Sequence, residues 1–162
     1  MTWSAQDVCW MTRALELALR GRFTTWPNPM VGCVVAQGDS LLAEGWHRQH
    51  GEGHAEVNAL AQLDPDLDLS QATAYVTLEP CSHTGKTPPC ADLLVSRGLG
   101  HVVVAMMDPN PLVAGQGLER LQHAGATCEV GCLEQEALKL NAPFVHCMTS
   151  RTPWVTLKWA QS

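Results

Sequence analysis

The 162-residue chain has no long apolar run, and no stretch approaches the roughly 18 uninterrupted apolar residues of a membrane-spanning helix. Its first residues, Met1 to Asp7, contain no basic region leading into an apolar segment, as a secretory signal would. Positive charge is also scarce, with 10 Lys and Arg against 16 Asp and Glu and a net charge of −6. Since sequence-independent nucleic-acid binding needs clustered Lys and Arg, we expect no nucleic-acid partner. The lack of a long apolar run and of a signal pattern leads us to expect no membrane association and a cytoplasmic location.

The chain also lacks internal repeats, low-complexity tracts and linkers rich in proline, glycine and serine. A hydrophobic content of 46% in 162 residues is enough to bury one core, so we expect one compact domain. Seven cysteines are an odd number, which argues against a complete disulfide framework. The five cysteines that lie among apolar residues are predicted to be small, reduced core residues: Cys9, Cys33, Cys128, Cys132 and Cys147.

The remaining two cysteines belong to a group that carries chemistry. His54 and Glu56 are two residues apart, and Cys81 and Cys90 each follow a proline. A catalytic zinc takes three protein ligands and leaves its fourth position to water, whereas a structural zinc takes four. We therefore predict that His54, Cys81 and Cys90 bind one Zn²⁺ per chain. Glu56 is then the catalytic acid and base that moves the protons of the water.

The positions of these residues in the predicted elements are compatible with that chemistry. Residues two apart do not share a face of a regular helix, so we expect His54 and Glu56 at an irregular first turn. There the histidine would reach the metal and the longer glutamate would reach only its water. Pro88 and Pro89 place Cys90 at the start of another helix, whose N-terminus would lower the pKa of the thiol.

The spacing of the two cysteines is unusual. Zinc nucleobase deaminases carry H-x-E and then P-C-x-x-C, with two residues between the cysteines. Here eight residues, Ser82 to Pro89, form a polar arm that contains a glycine. Such an arm is expected to line a site for an anionic ligand. The basic residues near the ligands in sequence could form a positive patch for one small phosphate: His47, Arg48, His50, His83 and Lys86.

Helical and strand patterns alternate along the chain. The predicted helices span residues 7–19, 54–63, 91–97, 116–124 and 134–148, and the predicted strands span residues 31–36, 41–46, 72–78, 101–107 and 127–132. The first two strands are expected to form an antiparallel hairpin. Because helices separate the later strands, we expect a mostly parallel sheet after the hairpin, with helices on both faces.

Four runs of the sequence occur together: PNPMVG at residues 27–32, HAEVNA at 54–59, the cysteine-bearing segment 75–91, and DPNPLV at 108–113. Together they resemble the deaminase domain of the riboflavin-biosynthesis deaminase/reductase family, over nearly the whole chain. In that family the long arm between the cysteines is expected. The resemblance implies a three-layer α/β/α cytidine deaminase-like fold with a central mixed sheet of about five strands.

The resemblance also implies a reaction and its substrate contacts. The reaction is the zinc-dependent hydrolytic deamination of 2,5-diamino-6-ribosylamino-4(3H)-pyrimidinone 5′-phosphate to 5-amino-6-(5-phosphoribosylamino)uracil and ammonia. The positions that match substrate contacts are Asn28, His47, His83, Lys86, Asp108 and Asn110. Simpler roles stay open for most of them, because Asn28, Asp108 and Asn110 could serve turns and a Gly-Lys loop could be solvated.

By the same resemblance, residues 1–150 form the deaminase domain, and residues 151–162 are a linker and the first strand of a reductase domain absent from this sequence. NADPH is expected only with that reductase domain, which the full-length protein is expected to carry. The apolar residues Val155, Leu157 and Trp159 would lack the domain that covers them. The expected ligand is a small phosphorylated pyrimidine, and the oligomeric state, including a homo-oligomer, stays open.

Two other functions remain open from the sequence. A different zinc deaminase, acting on cytosine, guanine or tRNA adenosine, would share the zinc and Glu56 but normally has the short spacing between cysteines. A non-catalytic zinc module would close its metal shell with a fourth residue, such as His83 or a spare cysteine.

Overall fold

The computed structural model describes residues 2–83, 88–150 and 152–160. The elements in these ranges are α1 (Ala5–Leu19), β1 (Gly32–Gln37), β2 (Ser40–Trp46), α2 (Ala55–Leu60), β3 (Thr73–Val76), α3 (Cys90–Ser96), β4 (His101–Val104), α4 (Gln116–His123), β5 (Thr127–Val130), α5 (Glu134–Leu140) and α6 (Ala142–Ser150). The strands form one sheet in the order β2-β1-β3-β4-β5. Strand β1 is antiparallel to β2 and β3, whereas β3, β4 and β5 are parallel. The predicted mixed sheet of five strands is confirmed.

Local sequence signals account for where the first elements begin and end. Ser4 caps α1 by accepting the backbone N–H of Asp7 at 3.1 Å, and the Asp7 carboxylate accepts the Ser4 N–H in return. The predicted hairpin is present, with Gly38 and Asp39 between its strands. Gly38 has a φ of 56°, a left-handed conformation that glycine adopts without steric cost.

The sheet lies between two layers of helices. Because side chains alternate along a strand, Cys33 and Val35 of β1 pack with α2, α3 and α4, while Val34 and Ala36 pack with α1 and α5. Glycine allows close approach on one of these faces. A Cβ on Gly45 would lie 2.5 Å from the backbone nitrogen of Ala59, so α2 rests directly on β2. The three-layer α/β/α arrangement is confirmed.

The single helix predicted over residues 134–148 is wrong, because the chain forms α5 and α6 there. Asn141 ends α5 with a φ of −101° and a ψ of 21°, outside the helical region. Its side chain binds the backbone of Met30 instead of solvent. Pro143 has no N–H with which to continue the hydrogen-bond ladder of α5, so it falls in the first turn of α6.

Residues 152–160 contain no helix or strand, and their side chains are exposed. Their alternating pattern therefore does not add a strand to this sheet. None of the helices in the described ranges combines the length and the apolar character needed to cross a bilayer.

Candidate active site

Three side chains with metal-ligating atoms meet beyond the C-terminal end of β3. The ligand atoms of His54, Cys81 and Cys90 lie within 4.8 Å of one another. Nδ1 of His54 is 3.6 Å from Sγ of Cys81 and 3.3 Å from Sγ of Cys90. A tetrahedral zinc with bonds of about 2.1 Å to nitrogen and about 2.3 Å to sulfur needs nitrogen–sulfur separations of about 3.6 Å. The three side chains therefore fit a zinc ion.

Each of the three residues lies at the end of an element. His54 is the N-cap of α2, with an extended backbone, and Cys90 is the first residue of α3. Sγ of Cys81 accepts the backbone N–H of Cys90 at 3.3 Å, and the Cys81 carbonyl accepts the N–H of Ala91 at 3.2 Å. The start of α3 thus holds the second cysteine against the first. The predicted placement of His54 and Cys90 at helix starts is confirmed. The predicted lowering of the Cys90 pKa is wrong, because the hydrogen bond with Cys81 and burial raise it.

The electrostatics of this corner favour a thiolate at Cys81. A hydrogen bond with the Cys90 thiol, helped by the His54 ring and the Cys90 backbone N–H, lowers the pKa of Cys81 to about 4. The pKa of His54 is raised, first of all by its hydrogen bond with Cys81. A thiolate is the form of cysteine that binds a metal. The corner is therefore suited to a cation.

Glu56 is the second residue of α2 and is only 3% exposed. Its carboxylate is not one of the ligand atoms that cluster within 4.8 Å, but it lines the same cavity as His54 and Cys81. Burial raises the pKa of Glu56, because the carboxylate loses contact with water. A carboxyl group in this position can exchange a proton with a molecule in the cavity.

The cavity has a volume of about 280 Å³. Its wall contains all but one of the predicted substrate contacts: Asn28, His47, His83, Asp108 and Asn110. The remaining one, Lys86, lies outside the described residues. The predicted positive patch is only partly assembled, since Arg48 and His50 are not in the described wall and the Arg48 guanidinium lies 5.0 Å from the centre of the Trp46 ring.

His47 is a neutral, oriented ring. It is 2% exposed, and burial lowers its pKa. Nδ1 lies 3.1 Å from the Gly53 carbonyl, to which only an N–H can donate, so Nε2 accepts from the Asn28 amide at 3.1 Å. A neutral ring adds no positive charge for a phosphate. The Asn28 side chain is therefore oriented by His47 and does not bond its own backbone.

Asp108 and Asn110 follow β4 and combine turn bonds with cavity lining. Oδ1 of Asp108 accepts the N–H of Asn110 at 2.8 Å, and Oδ1 of Asn110 accepts the N–H of Leu112 at 3.1 Å. Burial raises the pKa of Asp108. Turn formation thus uses one oxygen of each side chain and leaves the other polar atoms for the cavity.

The sequence prediction missed Glu79, Phe144 and Met148, which also line the cavity. Glu79 could have been recognised from the sequence. An acidic residue directly after a buried strand requires a specific partner. The two apolar residues belong to α6, which supplies part of the cavity wall. No local pattern indicated that this helix would face the site.

Comparisons with known proteins agree with this geometry. The family model described as the cytidine and deoxycytidylate deaminase zinc-binding region matches residues 4–106. The chain is 51% identical to the riboflavin biosynthesis protein RibD of Escherichia coli (strain K12), over 97% of this chain and 42% of that protein. It is 44% identical to the diaminohydroxyphosphoribosylamino-pyrimidine deaminase of Buchnera aphidicola subsp. Schizaphis graminum, over 91% of this chain and 99% of that protein.

A solved structure shares both the fold and much of the sequence. It is the diaminohydroxyphosphoribosylaminopyrimidine deaminase/5-amino-6-(5-phosphoribosylamino)uracil reductase of Thermotoga maritima, with a TM-score of 0.86 and 42% identity. The match covers 91% of this chain and 42% of that one. The chain thus spans less than half the length of the RibD proteins it matches, and nearly all of the shorter Buchnera deaminase.

Proposed function

The chain belongs to the cytidine and deoxycytidylate deaminase family, among the diaminohydroxyphosphoribosylaminopyrimidine deaminases, and from this premise we propose its substrate and the roles of its site residues. The proposed substrate is 2,5-diamino-6-ribosylamino-4(3H)-pyrimidinone 5′-phosphate. Hydrolysis with one water gives 5-amino-6-(5-phosphoribosylamino)uracil and ammonia. The chain would thereby serve riboflavin biosynthesis.

The observation that supports this proposal most strongly is the pairing of a three-ligand metal corner with a separate buried carboxylate. His54, Cys81 and Cys90 would hold one zinc per chain, and Glu56 would stay free for proton transfer. When bound, zinc would supply a Lewis acid that acidifies a water molecule in the cavity. Two thiolate ligands offset the charge of the metal and make a neighbouring base more useful.

In this mechanism Glu56 accepts a proton from the attacking water as the new carbon–oxygen bond forms. It passes this proton to the neighbouring ring nitrogen, and then moves the second proton of the water from the new hydroxyl to the departing amino nitrogen as the carbon–nitrogen bond breaks, so that NH3 leaves and a ring carbonyl remains. Burial raises the pKa of this carboxyl group, which makes it a better proton acceptor than an exposed carboxylate. Proton transfer by a positioned side chain contributes a factor of about 10² to 10⁴ in rate.

The other proposed substrate contacts would orient the ring and bind the ribosyl phosphate. Asn28 and His47 form one hydrogen-bonded pair in the wall, and Asp108 and Asn110 form the wall after β4. We assign the phosphate to His83 and Lys86 of the long arm, because His47 is neutral. Binding of a remote phosphate would position the reacting carbon.

Two alternative functions receive less support. A deaminase for cytosine, guanine or tRNA adenosine would share the metal corner, but the 44% identity over 99% of the Buchnera protein favours the pyrimidine phosphate. A structural zinc module would need a fourth ligand. In the ranges that the structure describes, His54, Cys81 and Cys90 form the group without a fourth His, Cys, Asp or Glu.

We also propose residues 1–150 as the deaminase domain and residues 151–162 as a linker and the first strand of a reductase domain. The support is that the chain covers only 42% of the E. coli RibD protein and that residues 152–160 stay outside the sheet. NADPH binding would belong to that reductase domain. The cytoplasmic location and the lack of a nucleic-acid partner remain predictions.

A panel of amino-pyrimidines tests the proposed substrate. The zinc-loaded chain would be assayed for ammonia release from the diaminopyrimidinone ribosylamine with and without its 5′-phosphate, and from cytosine, cytidine and guanine. We expect release from the phosphorylated diaminopyrimidinone at a much higher kcat/KM than from any other compound. Preferred release from cytosine or guanine would contradict the proposal, and so would no release from any compound.

A further inference from the structure

A buried carboxylate that the chemistry above does not use lies in the wall of the cavity. Glu79 is 5% exposed and occupies the corner between β3 and Cys81. Its Oε2 accepts the backbone N–H groups of Asp108 at 3.2 Å and Gly115 at 3.0 Å. Its Oε1 accepts the N–H of Gly117 at 3.0 Å. A buried charge needs such partners, and all three of these come from one segment.

That segment, residues 108–117, connects β4 to the first turn of α4. It carries Asp108, Asn110 and Val113 in the cavity wall. The turn bonds of Asp108 and Asn110 shape the segment locally but do not fix its distance from the metal corner. Glu79 spans that distance. It lies two positions before Cys81, and its carboxylate binds backbone N–H groups at both ends of the segment.

The contact behind Glu79 is tight. A Cβ on Gly117 would lie 2.0 Å from the carbonyl oxygen of Pro80, so only glycine allows α4 to approach the corner this closely. Gln116 adds a bond, since its Oε1 accepts the Ser82 hydroxyl at 3.3 Å. A small shift of α4 would therefore displace the wall relative to His54 and Cys81.

We infer that Glu79 is a positioning residue for substrate binding: it fixes the segment 108–117 against the metal corner and so places Asp108 and Asn110 along the substrate. The inference rests on the proposed function. Because these contacts lie away from the proton chemistry of Glu56, losing their placement weakens substrate binding more than it slows the chemical step.

Glu79→Gln tests the inference with little change in shape. The amide nitrogen of glutamine would face a backbone N–H where the carboxylate accepted one, so at least one of the three bonds is lost. We expect KM for the phosphorylated substrate to rise about tenfold and kcat to change less than about threefold, at unchanged zinc content. Glu79→Ala should raise KM further, since it removes all three acceptors.

Hydrogen exchange gives a readout that does not depend on activity. The amides of Asp108, Gly115 and Gly117 should exchange slowly in the unaltered chain and faster in Glu79→Gln. In a chain that already carries Asn110→Ala, Glu79→Gln should raise KM much less than it does in the unaltered chain, because the two residues act through one substrate contact. Glu44→Gln, which breaks an ion pair between α1 and β2, is the control and should leave KM unchanged.

Unchanged amide exchange in Glu79→Gln would overturn the inference. Faster exchange with unchanged KM would also overturn it, because Glu79 would then only stabilise the fold. If the unaltered chain released no ammonia from any substrate, the proposed function would fail instead. The exchange measurement would still decide whether Glu79 holds the segment.

Discussion

Two kinds of side chain divide the proposed chemistry. His54, Cys81 and Cys90 present atoms at tetrahedral spacing, whereas the carboxylate of Glu56 lies apart from that cluster in the same cavity. The division follows from the chain itself, because a two-residue step along the first turn of α2 turns Glu56 away from the direction of His54. Metal binding and proton transfer should therefore respond to different substitutions.

Cys81→Ser and Cys90→Ser should each lose zinc together with activity. A serine hydroxyl does not provide the thiolate that the corner favours, and two ligands hold a metal more weakly than three. Metal analysis of the purified, dialysed variants checks this expectation. Cys9→Ser is the control, since Cys9 lies exposed on α1 and the prediction that it is a core residue was wrong. Full zinc content in either site variant would mean that the assigned ligands are wrong.

Lys86→Ala should lower kcat/KM for the phosphorylated substrate far more than for the dephosphorylated one. A phosphate contact contributes only when the phosphate is present, so the loss should appear in the ratio of the two kcat/KM values. Lys139→Ala, in α5, serves as the control for removing a lysine. Equal losses for both substrates would place Lys86 away from the phosphate.

Between elements, an ion pair joins α1 to β2. Nε and Nη2 of Arg13 lie 2.8 and 2.7 Å from the two carboxylate oxygens of Glu44. The hydrogen bond from Arg13 lowers the pKa of Glu44 below the usual value of a glutamate side chain. As the pH falls, Glu44 of the unfolded chain therefore binds its proton at a higher pH than Glu44 of the folded chain does. The pair therefore stabilises the fold at neutral pH, and its contribution is lost as the pH falls through the lowered pKa.

Glu44→Gln should lower the free energy of unfolding at pH 7 by about 1 kcal/mol, because both partners are partly exposed and solvent screens the pair. The difference from the unaltered chain should shrink towards acidic pH. Urea unfolding at several pH values measures both effects. Glu16→Gln, which removes the more exposed partner of Arg13, should cost less. A difference that grew on acidification would contradict the assigned direction of the pKa.

Another bond links the α5–α6 junction to the segment before β1. Oδ1 of Asn141 accepts the Met30 N–H, and Nδ2 donates to the Met30 carbonyl, each at 2.8 Å. Asn141 is 2% exposed, so Asn141→Ala would leave two backbone groups without partners and should cost about 2–4 kcal/mol. Urea or thermal unfolding checks this value. Gln62→Ala, which removes two bonds at an exposed position, should cost less than half as much.

The parts of the architecture that the sequence could predict are those that depend on neighbouring residues. The hairpin and the order of the elements from α1 to β5 rest on local patterns, and both are present in the structure. The break between α5 and α6 was missed because it depends on Asn141 finding Met30, 111 residues away. Local periodicity carries no information about a partner at that distance.

For the chain as a whole, the same distinction applies to the candidate site. His54, Glu56, Cys81 and Cys90 could be singled out because their chemistry is specific to a few residue types. The wall contributed by α6, and the bonds of Glu79 to residues 108–117, depend on how distant segments pack. Only the folded structure reveals these contacts.

The most direct test of the proposed mechanism measures zinc content and the rate of ammonia release on the same preparations of the unaltered chain and of Glu56→Gln. We expect one zinc per chain in both, because the three ligands are intact. The rate for Glu56→Gln should fall by a factor of about 10² to 10⁴. Equal rates at equal zinc content would show that Glu56 does not transfer the protons, because the reaction would then proceed at full rate without its carboxylate.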